Sequence, residues 1–201
     1  MKKSLVASTA LTLAFLFVSG APAFADAPAT PGHAAAKPAL VPADFKVPTV
    51  AHGKGFKLVP LGPELVKIDF DAYMSSVEHL QKTFTRSTSW PHEGITDAEA
   101  MQDMVNEQTR FRNRTSFAYS VLTPDGQRER GCVYIYPSKV KGYDAMVRMW
   151  VTQDEFDAGF EAELYDWVKD WMQKDWPFAK VAYPGHSIDW AAWDAMEAGK
   201  K

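Results

Sequence analysis

The sequence predicts a mixed α/β domain, a largely antiparallel central sheet with flanking helices in the order β-α-α-β-β-β-α-β. Three observations carry this. Residues 117–123, 131–136 and 144–151 alternate with period 2 and are rich in aromatic and β-branched residues, as strands are. Pro124-Asp125-Gly126 supplies a preset φ and then a position that tolerates positive φ, so the first two strands pair as a hairpin. The third strand, with Ala145, Val147, Met149 and Val151 on one face, runs directly into a helical pattern that continues to Trp171.

The chain opens with Lys2 and Lys3, an apolar run from Leu5 to Val18, and the small-x-small sequence Ala23-Phe24-Ala25. That is the pattern of a secretory signal peptide, so residues 1–25 are expected to be removed before Asp26. The run is short for a hydrocarbon core of about 30 Å. No stable membrane anchor is therefore expected after cleavage, and the destination is the periplasm or the outside of a bacterial cell. Residues 26–54 are rich in Ala, Pro and small residues. They hold too few large apolar side chains to offset the entropy of ordering and are expected to form a flexible tether. Residues 55–201 carry all seven tryptophans and suit a single domain around one core.

Within that domain, residues 56–61 read as the first strand, with Pro60 marking an edge or an end. Pro63 fits the first turn of a helix. Val66, Phe70, Tyr73, Val77, Leu80 and Phe84 then form one apolar stripe. After a loop at Trp90-Pro91-His92-Glu93-Gly94, Thr96 and Glu99 form a capping box. Met101, Met104, Val105, Gln108 and Phe111 are expected on one face of the helix that follows, with Arg110, Arg112 and Arg114 at its negative dipole end. Asp175-Trp176-Pro177 ends the long helix, residues 179–183 read as the last core strand, and Trp190 and Trp193 belong to a short amphipathic tail.

Composition narrows the function. The net charge of −3 becomes more negative once Lys2 and Lys3 leave, so nucleic acid is not an expected partner. A single cysteine, Cys132, excludes an internal disulfide framework, and its place in a strand pattern reads as a small buried hydrophobe. The five histidines show no metal-ligand spacing, no metal site is expected, and there is neither a Gly-x-Ser-x-Gly elbow nor a glycine-rich nucleotide loop.

The element order resembles the GNAT-type N-acetyltransferase superfamily over residues 56–183. Trp90-Pro91, residues 117–119 and 131–134, Trp150-Val151 and Tyr183-Pro184-Gly185 also look like an exported, divergent bacterial branch of it. The resemblance implies acetyl-coenzyme A as cofactor and an amine as acceptor. It implies a turn of pattern Arg/Gln-x-x-Gly-x-Gly/Ala after the meander, whose backbone N–H groups hold the coenzyme pyrophosphate at a helix N-terminus. It places Val151, Phe156, Gly159 and Phe160 at the cofactor. Only Gly159 keeps the pattern: Phe156 stands for the Arg/Gln and Glu161 for the second small residue. The resemblance also implies an acid beyond the last core strand to protonate the leaving thiolate, and Tyr183 and His186 occupy that neighbourhood.

The residues around that turn point away from ordinary coenzyme binding. Asp154, Glu155, Asp157, Glu161, Glu163 and Asp166 fall between Thr152 and Asp166 with no Lys or Arg among them. Like charges at about 5–6 Å repel by on the order of 1 kcal/mol each at an effective dielectric near 50. Thr152 and Glu155 form a second candidate capping box, which would satisfy the same N–H groups internally. Two functions stay open: an acetyl-coenzyme A-dependent N-acyltransferase, and a non-catalytic module that binds a small ligand or a protein. For the second, Tyr119, Tyr134, Tyr136 and Trp150 are the candidate cleft, an aromatic, acid-rimmed surface suited to a cationic or aromatic ligand. Trp167, Trp171, Trp190 and Trp193 are candidates for a partner surface or a homodimer contact.

Overall fold

The computed structural model describes residues 38–199. The expected signal peptide lies outside the described residues, as do residues 26–37 of the expected tether. The sheet opens with β1 (Ala51–Gly53), paired antiparallel to β2 (Phe56–Pro60). A 3-10 turn over Pro63–Leu65 leads into α1 (Val66–Met74), then α2 (Val77–Leu80) and a π turn over Gln81–Thr85. Helix α3 (Asp97–Arg112) follows, then strands β3 (Phe117–Leu122), β4 (Glu129–Pro137) and β5 (Ala145–Val151). The chain continues through α4 (Gln153–Asp157), α5 (Phe160–Asp175), β6 (Val181–Ala182) and α6 (Trp190–Ala198). The six strands lie in sequence order, all antiparallel except β5 with β6. The mixed, largely antiparallel sheet with flanking helices is as the sequence predicted.

The domain begins earlier than residue 55, which corrects the expected tether. The Leu40 N–H donates to the Arg114 carbonyl at 2.7 Å, and Val41 is buried in the core. Arg114 sits in the left-handed region at φ 59 and donates to the carbonyls of Pro42 and Phe45. The Tyr119 hydroxyl donates to the Pro48 carbonyl at 2.7 Å. Composition missed this because a few apolar side chains are enough when they cover a face that is already formed.

The single expected helix over the 66–84 stripe is broken at Ser75 and Ser76. The Ser75 hydroxyl donates to the Ala72 carbonyl at 2.7 Å, and Ser76 Oγ accepts the Gln153 N–H at 2.9 Å. Serine hydroxyls that engage backbone groups in this way compete with helix continuation. The Thr96–Glu99 capping box forms as expected. In α3, however, Ala100 and Met104 are buried while Met101 and Val105 stand about 40% exposed, so the buried stripe is rotated from the expected face. The long helix expected after β5 is split in two at Gly159, whose φ of 82 needs a residue without a Cβ.

The sheet separates two cores. On one side Phe117, Tyr119, Val133, Ile135 and Val147 pack under α5, with Leu164, Val168 and Trp171. On the other, Ala118, Cys132, Tyr134 and Trp150 pack under α1 and α3, with Tyr73, Leu80 and Met104. Which side a residue faces is set by a bulge in the β3–β4 hairpin. Val121 pairs with Gly131 but Leu122 pairs with Glu129, so Arg130 is the extra residue and Glu129 faces the same side as Cys132. Gly131 lets β5 come close here: a Cβ would lie 2.0 Å from the Trp150 carbonyl oxygen. Gly131→Ala should therefore destabilise the fold by roughly 2–4 kcal/mol in urea melts. An unchanged midpoint would mean that β4 and β5 do not approach this closely.

Candidate functional site

Strand β5 pairs with β6 only at Ala145–Val181 and Met146–Ala182. Asp144 fastens this start by accepting the N–H groups of Ala179 and Lys180, each at 2.8 Å. Beyond it the remainder of β5 has no strand partner on that edge, and buried backbone groups there need other partners. The Thr152 N–H donates to the Arg130 carbonyl on the β4 side, so Val151 and Gln153 present theirs to the open edge. Ser76 Oγ accepts the Gln153 N–H, and the Val151 carbonyl engages the His79 imidazole. The Glu155 N–H goes to Thr152 Oγ1 at 3.4 Å. The Gln153 and Glu155 N–H groups are thus held by the chain's own side chains, whereas Gly159 opens α5 with no side-chain cap. Glu161 and Glu163 stand in the first turn of α5, where a pyrophosphate on that helix N-terminus would meet their charge.

The acidic stretch itself is less uncompensated than its sequence suggested. Arg128 and Arg130, delivered from the hairpin, both pair with the buried Glu155, at 2.7 and 2.5 Å. Burial opposes ionisation of Glu155, yet hydrogen bonds from Arg130 and Arg128 hold its carboxyl below the usual range. The second capping box is thus only half formed: Thr152 caps Glu155, whose side chain turns to the arginines.

Of the residues expected at the cofactor, Val151 is buried and Phe160 lies under the Arg130 guanidinium at 3.4 Å and against Phe56 at 5.4 Å. Phe156 packs on His79 at 4.8 Å, and Gly159 is the left-handed residue that opens α5. They are packing and turn residues around the strand exit. The expected catalytic pair also changes place. Tyr183 is buried against Tyr165 at 5.6 Å, and His186 stacks nearly parallel on Tyr165 at 4.7 Å, both against α5. Burial lowers the His186 pKa and raises that of Tyr183. Neither lines a cavity with the remaining candidates.

The cavity lies on the other side of the sheet. Its inner part, about 220 Å³, is walled by Tyr73, Trp90, Tyr134 and Tyr136, with Asp69, Asp103, Glu107 and Arg110 supplying charge. Tyr134 and Tyr136 stack at 5.9 Å, and Trp150 donates from Nε1 to the Tyr134 hydroxyl at 3.4 Å from beneath. Tyr119 does not belong with them. It pairs across strands with Val133, so it faces the α5 core, where it meets Trp171 edge-on at 5.2 Å. The four tryptophans proposed as one surface also separate: Trp171 and Trp193 are buried in different cores.

The inner cavity shares walls at Thr85, Arg110 and Tyr136 with an outer one of about 520 Å³ beside α6. There Arg86 pairs with both Asp194 oxygens at 2.8 and 3.0 Å and covers the Trp190 ring. Arg148 donates to the Phe84 carbonyl, lies over the Phe84 ring at 4.4 Å and, among the described residues, has no carboxylate partner. Burial lowers its pKa. The cleft is therefore acidic and aromatic inside and carries an uncompensated guanidinium outside.

Asp69, Glu129 and Cys132 were missed from the sequence. Burial pushes Asp69 up to about 7, with the Cys132 and Glu129 hydrogen bonds acting in the opposite direction, and it raises Glu129 and Cys132 well above their ordinary values. A signal for Asp69 was present: with Val66, Phe70 and Tyr73 it sits in the middle of the apolar stripe of α1.

No protein-family model matches the chain, and no curated protein matches it in sequence. Solved structures match it in fold. The ribosomal-protein-S5-alanine acetyltransferase from Vibrio fischeri is 13% identical, with a TM-score of 0.51 over 62% of this chain and 67% of that one. A probable acetyltransferase is 9% identical, with a TM-score of 0.52 over 73% of this chain and 78% of that one. A putative GNAT-family acetyltransferase from Bordetella pertussis is 14% identical, with a TM-score of 0.46 over 62% of this chain and 72% of that one.

His79 gives a test of the filled edge. Burial lowers its pKa, against the opposing pull of Asp157 and the Val151 carbonyl. The unfolded chain then takes up the proton first, so this contribution is intact above about pH 6.5 and is lost as pH falls through the lowered folded value. His79→Gln removes the group. The stability of wild type relative to His79→Gln, from urea melts, should fall as pH drops below about 6.5. A pH-independent difference would mean that the ring is solvated.

Proposed function

We propose that this chain, whose fold is that of the GNAT-type acetyltransferases, works as a binding module for a small organic cation rather than as an acyltransferase. One observation carries the reading: Asp69 and Asp103, beside the Glu107–Arg110 ion pair, line a cavity walled by Tyr73, Trp90 and Tyr136. Carboxylates with aromatic faces suit an ammonium or guanidinium group. An attached anionic group on the ligand would meet Arg148 in the outer cavity. The occupied Gln153 and Glu155 N–H groups and the acids Glu161 and Glu163 support the absence of an acyl-coenzyme A step.

The acyltransferase reading is favoured by the divergence of β5 from β6, which leaves an opening at the place where the resemblance puts the acetyl-coenzyme A. One pair of titrations separates the two. Primary amines, quaternary ammonium compounds and amino-acid amides should quench tryptophan fluorescence saturably, through Trp90. Asp103→Asn with Glu107→Gln should weaken that binding roughly tenfold, about 1.4 kcal/mol. Acetyl-coenzyme A should give no calorimetric heat. Micromolar acetyl-coenzyme A binding followed by acetyl transfer to an amine would reverse the assignment.

We also infer export to the periplasm or beyond, supported by the tripartite pattern of residues 1–25. N-terminal sequencing of the chain expressed in a bacterium should start at Asp26. A chain that retains Met1 and stays inside the cell would remove the inference.

A further inference from the structure

We propose that Asp69, Glu129 and Cys132 form a divalent-metal site and that zinc is the ion their donors fit. The Cys132 Sγ lies 2.9 Å from Glu129 Oε1 and 3.6 Å from Asp69 Oδ1, and all three ligand atoms fall within 4.8 Å of one another. Tetrahedral zinc, with Zn–S near 2.3 Å and Zn–O near 2.0–2.2 Å, spaces its ligand atoms roughly 3.5 Å apart. Ligation would part Cys132 Sγ and Glu129 Oε1 from 2.9 Å toward that spacing and draw the widest pair inward.

Two further observations point to a missing partner. Asp69 and Glu129 are 3% and 2% exposed, and among the described residues no Lys or Arg forms an ion pair with either. Two carboxylates buried without a cation are a costly arrangement. Independently, Ser120 pairs across strands with Cys132, so its fully buried hydroxyl faces the same side beside the Glu129 carboxyl, and that oxygen makes no well-aligned hydrogen bond. Glu129 Oε2, also buried, has none either. An ion at this point, with its own bound water, would engage both.

The donor set discriminates among ions. Calcium and magnesium take oxygen ligands and larger coordination shells, whereas a thiolate beside carboxylates selects zinc. Three protein ligands leave a fourth position open. Asp69 lines the inner cleft and Glu129 lines a separate cavity of about 290 Å³ beside Thr152, so the cluster can be reached from either side. Asp69 is shared with the proposed cation cleft, so zinc is titrated without organic cations, and Asp103→Asn with Glu107→Gln, outside the cluster, should leave zinc uptake unchanged.

The test uses the full folded chain, stripped with chelator and titrated with zinc by calorimetry and with cobalt(II) as the spectroscopic probe. One equivalent of zinc should bind and raise the melting temperature. Cobalt should produce a thiolate-to-metal charge-transfer band in the near ultraviolet that Cys132→Ser abolishes. Asp69→Asn and Glu129→Gln should each weaken zinc binding at least tenfold, while His92→Gln, at an exposed histidine outside the cluster, should not. Cys132→Ser is nearly isosteric, so its cobalt spectrum decides the matter even where a carboxylate variant fails to fold. Absence of saturable uptake, a cobalt spectrum without the thiolate band, or uptake that survives all three substitutions would each overturn the site.

Discussion

The open edge of β5 is the constraint on which the rest of the structure depends. A strand that leaves its parallel neighbour after two pairs exposes a row of donors and acceptors, and these must be met inside the fold. Ser76 and His79 meet them at the strand exit. Ser76 can do so only because α1 stops there, so the helix break, the position of α2 and the π turn follow from one requirement. The same π turn brings Phe84 and Thr85 over the cleft. An edge that a cofactor could have completed is completed by the chain, and the roof of the cleft is built from the segment that does it.

Electrostatics divides the molecule in a similar way. Glu155 is buried, yet it is compensated by two arginines carried on the hairpin. Glu129 is equally buried and one bulge away, but it faces the other core and has no such partner. One inserted residue, Arg130, therefore sends an arginine and a glutamate to opposite sides of the sheet. The arginine neutralises the strand exit, and the glutamate places a second buried carboxyl beside Asp69 behind the cleft.

Much of this was legible in the sequence because local rules and tertiary demands agreed. The Phe117 to Val151 meander, the Thr96 cap and the stop at Pro177 each rest on periodicity or on turn chemistry. Gly159 was legible as special, and its left-handed turn opens α5. What failed was non-local. Tyr119 was grouped with Tyr134 because both are aromatic, but cross-strand register separates them. Cys132 looked like an isolated hydrophobe because Asp69 lies 63 positions away in the chain and Glu129 reaches it only through the bulge. Residues 40–53 looked unstructured because their partners, Arg114 and Tyr119, lie far along the chain.

The outer wall of the cleft is joined to the π turn by Arg86 and Asp194, whose side chains are 39% and 48% exposed. Exposed pairs of this kind contribute about 0–1 kcal/mol and are screened within about 8 Å at physiological ionic strength. Helix α6 itself is anchored by Trp193, buried with Val140 and Ala182, so loosening this pair frees the Arg86 rim and leaves the helix docked. The rim of the outer cavity is then the part of the molecule whose charge pairing salt screens first.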